Sequence, residues 1–213
     1  MQIDFRTDIL GLIDVQPTFM PGGELPVPGG DGIIPVVNRL LRQFDHAFAT
    51  QDWHPAHHAS FASAHTGRQP YDTIEMAYGE QMLWPDHGVA GTPTAAIHPA
   101  IEQTRIEVII RKGFRPTLDS YSAFFENDRK TPTGLEAWLR QRGFSRLFLC
   151  GLATDFCVAW SAEDAVRLGF MVTIVEDGCR GIDLPEAGGR TTVDAARDRL
   201  SAMGVRFTAS DAL

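Results

Sequence analysis

Along the chain, short apolar runs alternate with stretches whose apolar positions recur every three to four residues. The runs at 8–15, 46–53, 107–113, 146–152, 171–178 and 205–210 are strand-length and rich in Val, Ile, Leu and Phe. They predict strands buried on both faces, as in a parallel sheet. Between them, 31–44, 132–143, 155–169 and 188–204 carry a helical period, and three of these end in glycine (Gly143, Gly169, Gly204), a frequent C-terminal stop. This alternation predicts a doubly wound α/β/α sandwich around a parallel sheet. The interval from about 54 to 105 breaks the pattern. It is rich in His, Pro, Gly and Ala with little periodicity, and a stretch so long is expected to be a functional insertion.

A length of 213 residues, with no Pro/Ser-rich linker or break in composition, predicts a single domain over 1–213. Lys and Arg number 19 against 27 Asp and Glu, a formal net charge of −8, and no basic cluster occurs. A nucleic-acid or anionic-lipid partner is therefore not expected, and a small molecule is. Neither a signal peptide nor an 18-residue apolar run is present, so a cytoplasmic protein without a membrane segment is predicted. Cys150, Cys157 and Cys179 lack C-x-x-C spacing and are odd in number, which argues against a disulfide framework.

In an open parallel sheet, ligands bind beyond the carboxyl ends of the strands. Asp14 follows the first run, Asp52 and His54 the second, Lys112 lies at the end of the third, and Cys157 just past the fourth. Of the two cysteines in "LFLCGLATDFCV", Cys150 lies mid-run and reads as a small hydrophobe. Cys157 follows Thr154, a candidate N-cap, and Asp155, which suits a first helical turn. A thiol there is expected to have a lowered pKa, with Asp14 as proton acceptor and Lys112 as the nearby cation. Asp52 and His54, two apart at a strand end, suit two ligands of one metal, and His87 in "LWPDHGVAGT" is the best third. Two histidines and a carboxylate leave coordination positions open, as in Zn²⁺ catalytic sites and Fe²⁺ or Mn²⁺ sites. His57, His58 and His65 are expected at the surface or behind the ligands.

Together, "IDVQPTF", "TQDWHPAHHASFA", "LWPDHGVAGT", "IIRKGFRPTLDSYSAFF" and "GLATDFCV" resemble the nicotinamidase/pyrazinamidase branch of the isochorismatase-like cysteine hydrolases, in order over about 9–180. The resemblance implies a six-stranded, mainly parallel sheet and a metal-dependent amidohydrolase. It would convert nicotinamide to nicotinate and ammonia, and pyrazinamide to pyrazinoate, in NAD salvage or in nicotinamide catabolism. Another amidase of the superfamily, acting on maleamate or an N-carbamoyl compound, is the alternative. By the same resemblance Asp14, Lys112 and Cys157 form the catalytic triad, and Asp52, His54 and His87 hold the ion, with Zn²⁺ favoured over Fe²⁺ or Mn²⁺. Ala153 and Cys157 supply the oxyanion hole, and Leu152–Ala153 is a cis peptide. Phe19, Trp84 and Tyr121 line the ring pocket together with Leu152 and Ala153. His58 matches a position that is a ligand in some members and a bystander in others. Two departures are evident: "VQPTF" stands where V-Q-N-D-F is usual, and Gly88 where cysteine is common. Self-association into a homo-oligomer is left open.

Overall fold

The computed structural model describes residues 2–213. Six parallel strands, β1 (Asp8–Ile13), β2 (Ala47–Asp52), β5 (Val108–Lys112), β6 (Arg146–Leu152), β7 (Met171–Arg180) and β8 (Arg206–Thr208), form one sheet in the order β5-β2-β1-β6-β7-β8. All six lie within or across the predicted apolar runs. Every residue of β1 and β2 is buried, as is most of β6. One edge differs from expectation: β5 alternates in exposure, with Ile109 44% exposed, because successive side chains point to opposite faces and one face of this edge strand is open to solvent.

Helices α1 (Ile34–Gln43), α2 (Leu135–Gln141), α3 (Ala159–Arg167) and α4 (Thr192–Ala202) flank the sheet. They start later than the periodicity suggested. Residues Gly30–Ile33 form a tighter turn ahead of α1, and α4 begins only where the Thr191 hydroxyl and the Asp194 carboxylate close a capping box. The predicted stops hold: Gly143, Gly169 and Gly204 all take the left-handed backbone conformation. From β1 the chain steps outward through β2 to β5, then returns to the other side of β1 as β6 and steps away through β7 to β8. Right-handed crossovers therefore put the two sets of helices on opposite faces, and the order reverses between β1 and β6.

The 54–105 interval is less irregular than its sequence suggested. It contains an antiparallel hairpin, β3 (Thr73–Met76) and β4 (Gly79–Met82), too short and half-exposed to stand out as a pattern. Its first residues are stapled to residues 84–89 by backbone pairing, with bridges at Phe61–Trp84 and His54–Val89. The His54 N–H donates to the Gly88 carbonyl (2.9 Å) and the Ala90 N–H to the His54 carbonyl (2.8 Å). This pairing returns the segment around His87 to the end of β2.

Candidate active site

At the switch point, Asp14 leaves β1 with φ 47°, a conformation uncommon for any residue but glycine and tolerated by aspartate. Its fully buried carboxylate is set by Thr50 of the next strand, whose hydroxyl accepts from the Asp14 N–H (3.0 Å) and donates to Oδ1 (2.6 Å). Lys112, the last residue of β5, is also fully buried. Its Nζ lies 2.8 Å from Asp14 Oδ2 and 2.9 Å from the Ser120 carbonyl, and it is hydrogen-bonded to Asp52 Oδ1. The ammonium thus sits among three oxygens, two of them from carboxylates. Burial opposes its charge, but Asp14 and Asp52 outweigh that and hold the amine protonated, its pKa raised well above the ordinary value.

Cys157 Sγ lies 3.4 Å from Lys112 Nζ, and thiol and carboxylate atoms of Cys157, Asp14 and Asp52 fall within 4.8 Å of one another. The local structure corrects two expectations. Thr154 is not the cap: it opens a π-helical turn, Thr154–Val158, preceded by Ala153, whose carbonyl accepts from both the Phe156 and Val158 N–H groups. The thiol pKa is not lowered either. Burial drives it well above the ordinary value, assisted by Asp14 and Asp52 and opposed by Lys112, so the resting sulfur is a thiol. Burial also raises Asp14 to about 6 despite the opposing Lys112 charge, leaving it a carboxylate at neutral pH and a competent proton acceptor. Cys150 is buried in β6 with its thiol toward the Gly11 carbonyl (3.7 Å), as expected of a core residue. Asp155 is a brace. Its carboxylate accepts from the Ile182 and Asp183 N–H groups (3.0 and 2.8 Å) and from the Thr192 hydroxyl.

Asp52, His54 and His87 come together with ligand atoms within 4.8 Å of one another, and so do His54, His58 and Asp119. Hydrogen-bond accounting separates the two groups. In His58, Nδ1 accepts from the Ser60 N–H (3.1 Å) and Nε2 faces the Arg115 carbonyl (2.7 Å), which can only accept; neither nitrogen is free, and His58 is a bystander. In His87, Nδ1 faces the Pro85 carbonyl (2.8 Å) and must carry the proton, leaving the Nε2 lone pair 3.4 Å from Asp52 Oδ2. In His54, Nε2 meets Asp119 Oδ1 (2.9 Å), and Nδ1 is buried without a partner. An unpartnered buried ring nitrogen beside a carboxylate and a second imidazole lone pair is the donor set a divalent cation satisfies, so these three residues fit a metal. His57 is exposed, and His65 binds the Ala59 carbonyl. Gly113 is required here: at φ 65° its hydrogen lies where a Cβ would approach His54 Nε2 to 2.6 Å.

A narrow cavity opens beside Cys157, lined by Phe19, Asp52, Trp84, His87, Tyr121 and Ala153, and also by Leu25, Asp119, Phe156 and Ile182. Phe156 is central to the aromatic wall, with ring centroids 4.9 Å from Trp84 and 5.8 Å from Tyr121. Leu152 is not among the lining residues. Its side chain is fully buried and points under Gly30, although the Leu152–Ala153 peptide is cis. Sequence reasoning passed over Gln16, whose amide donates to the Asp52 carbonyl (3.0 Å) and accepts from the Asp52 N–H (2.8 Å). It also passed over Asp119 and Phe156, both inside quoted motifs.

The isochorismatase domain model matches residues 8–212. A nicotinamidase of Acinetobacter baylyi is 51% identical over 173 residues, 81% of each chain. Among solved structures, an Acinetobacter baumanii nicotinamidase/pyrazinamidase superposes with a TM-score of 0.93 at 46% identity, covering 98% of this chain and 99% of that one. A Pyrococcus horikoshii pyrazinamidase in complex with zinc gives 0.75 at 33%, covering 95% and 98%. With nearly the whole chain inside the family model and the sheet order, buried lysine and cysteine turn in place, the protein belongs to the isochorismatase family.

Proposed function

We propose that the protein is a nicotinamidase, hydrolysing nicotinamide to nicotinate and ammonia, and pyrazinamide likewise, as a single domain over 1–213 whose 54–105 insertion carries part of a metal centre. The observation that carries this reading is the contact of a buried Asp14–Lys112–Cys157 cluster with the Asp52, His54 and His87 donor set, through the one Lys112 ammonium. Asp14 takes the thiol proton, and the sulfur attacks the carboxamide carbon. The Ala153 and Cys157 N–H groups hold the oxyanion. Asp14 then protonates the departing ammonia, and a water attacks the thioester with Asp14 again as base, releasing nicotinate and regenerating the thiol. Lys112 steadies negative charge on the thiolate throughout. When bound by Asp52, His54 and His87, a divalent ion, Zn²⁺ by preference and Fe²⁺ or Mn²⁺ otherwise, supplies Lewis-acid positions for a ring nitrogen and a water. Phe19, Trp84 and Tyr121 flank the ring. The relatives named for nicotinamide and pyrazinamide hydrolysis support this substrate, and the zinc-bound relative supports the ion. No helix among the described residues is long and apolar enough to cross a membrane, and we place the enzyme in the cytoplasm, in NAD salvage.

The direct test is ammonia release from nicotinamide, pyrazinamide and maleamate by the purified protein, before and after chelation. Turnover of the two aromatic amides that chelation suppresses and Zn²⁺ restores is expected. Preference for maleamate, unaffected by chelation, would replace this reading with a metal-independent amidase.

The acid side of the pH profile is set by Asp14. Protonated, it cannot accept the thiol proton, and burial raises its pKa to about 6. kcat/KM is thus expected to fall about tenfold per pH unit below roughly 6 and to level off above it. The measurement is a pH–rate profile with metal content checked at each point. A limb near pH 4 at constant metal content would show that burial does not tune this carboxylate.

A further inference from the structure

A polar chain runs from the metal-ligand set to the aromatic wall through residues that neither touch the reacting atoms nor ligate. Asp119, His54 and Gln81 are each about 1% exposed. Both oxygens of the Asp119 carboxylate already accept: Oδ1 from the Ser120 N–H (2.8 Å), Oδ2 from Gln81 Nε2 (3.1 Å). A carboxylate used this way is an acceptor only, so the proton shared with His54 at 2.9 Å resides on Nε2. In the neutral ring the other His54 nitrogen, Nδ1, presents its lone pair, and it is the buried atom without a partner. Gln81 carries the chain onward. Its Nε2 lies 2.7 Å from the Met82 carbonyl and 2.9 Å from Tyr121 Oη, so its two protons are shared among these and Asp119, and Tyr121 Oη accepts from Trp84 Nε1 (2.9 Å). Asn127 locks the arrangement by donating to Gln81 Oε1 (3.0 Å) and accepting from the Tyr121 N–H (2.9 Å).

We propose that Asp119 is a positioning residue that fixes His54 as the Nε2–H tautomer, so that His54 ligates through Nδ1, and that the Asp119–Gln81 bridge sets the distance between the metal centre and the Trp84–Tyr121 wall. The inference rests on Asp52, His54 and His87 being the metal site. An acceptor that takes the other N–H of a ligating imidazole and so orients it typically matters ten- to a hundredfold in metal affinity. The bridge also accounts for the hairpin in the insertion. Gln81 lies on β4, and the hairpin delivers an amide to a point between the two halves of the site.

Three measurements test it. Asp119→Asn keeps the shape but replaces an acceptor with an amide group that can donate, allowing the other His54 tautomer. Its affinity for Zn²⁺, measured by competition with a chromophoric chelator, is expected to fall about ten- to a hundredfold with little change in circular dichroism, and the visible bands of its Co²⁺-loaded form are expected to shift. Gln81→Met cuts the bridge beyond Asp119. It is expected to keep wild-type Zn²⁺ affinity while raising KM for nicotinamide more than it lowers kcat. In ¹⁵N-histidine-labelled, Zn²⁺-loaded wild type, long-range ¹H–¹⁵N correlations are expected to show His54 protonated at Nε2, a readout that survives if Asp119→Asn fails to fold. Protonation at Nδ1, or wild-type affinity and Co²⁺ bands in Asp119→Asn, overturns the proposal while leaving the metal site standing. Gln81→Met with wild-type KM removes the coupling to the wall. Failure of the wild-type protein to bind Zn²⁺ would instead remove the metal site itself, and the proposal with it.

Discussion

Cys157→Ala is expected to lower kcat for nicotinamide by about 10⁵-fold or more, on the scale of removing a nucleophile that acts as a unit with its base. No other thiol can take over. Cys157 is the sulfur that meets both Lys112 Nζ at 3.4 Å and the Asp14 carboxylate, whereas Cys150 is sealed within β6 and faces a backbone carbonyl. Cys150→Ala should therefore keep most of its turnover and lose only about 1 kcal/mol of stability from the small cavity it leaves, lowering Tm by a few degrees. Steady-state ammonia release from the two variants, with thermal melts beside it, makes the comparison. Near-equal turnover would show that Cys157 is not the nucleophile. Because the resting sulfur is a thiol, iodoacetamide should label Cys157 slowly at neutral pH and faster as pH rises, with nicotinamide protecting it.

The second large effect concerns the ring nitrogen. Benzamide has the carboxamide and the ring of nicotinamide but no lone pair to offer the Asp52, His54 and His87 centre. If coordination selects the substrate, kcat/KM for benzamide should lie about 10⁴-fold or more below that for nicotinamide, the scale on which a polar site rejects an analogue lacking its partner. Picolinamide keeps the lone pair but moves it next to the carboxamide-bearing carbon, so the nitrogen and the carbonyl carbon cannot reach the metal and Cys157 together. It should fail as well. A deficit of only about tenfold for benzamide would mean that the fit between Phe19, Trp84 and Tyr121 does the selecting, while the cysteine chemistry would be unaffected.

The reach of the sequence follows from how local each signal is. Asp14, Asp52, Lys112 and Cys157 could be placed because each sits at or just past the end of an apolar run, and a parallel sheet brings such ends to one edge. His87 could be proposed as a ligand, but nothing in its neighbourhood showed how it would return to β2. The return is made by backbone pairing at His54–Val89, which leaves no side-chain pattern. Gln81 and Asp119 were out of reach for a related reason: their meaning is a hydrogen-bond partner 38 residues away, and the short hairpin carrying Gln81 has four-residue strands with weak alternation. Thr154 misled because a threonine ahead of an amphipathic stretch usually caps it. Here the Ala153 carbonyl accepts two N–H groups of a wider turn, and the threonine side chain makes no capping bond. The thiol pKa was misjudged because a helix start favours thiolate only where burial does not dominate, and burial cannot be read from one residue's neighbours in sequence.

Lys112 has an evolutionary consequence. Its ammonium donates to a residue of the metal-ligand set, Asp52, to the nucleophile sulfur of Cys157 and to the Ser120 carbonyl, and it pairs electrostatically with Asp14. A lineage drifting toward substrates without a ring nitrogen could not simply discard Asp52, because the buried ammonium would be left one acceptor short and the nucleophile would inherit the imbalance. The two centres are thereby epistatic. Metal dependence can be shed through His54 or His87 without disturbing Lys112, but not through Asp52 unless a compensating acceptor appears, so Asp52 is the ligand expected to persist when the metal is lost.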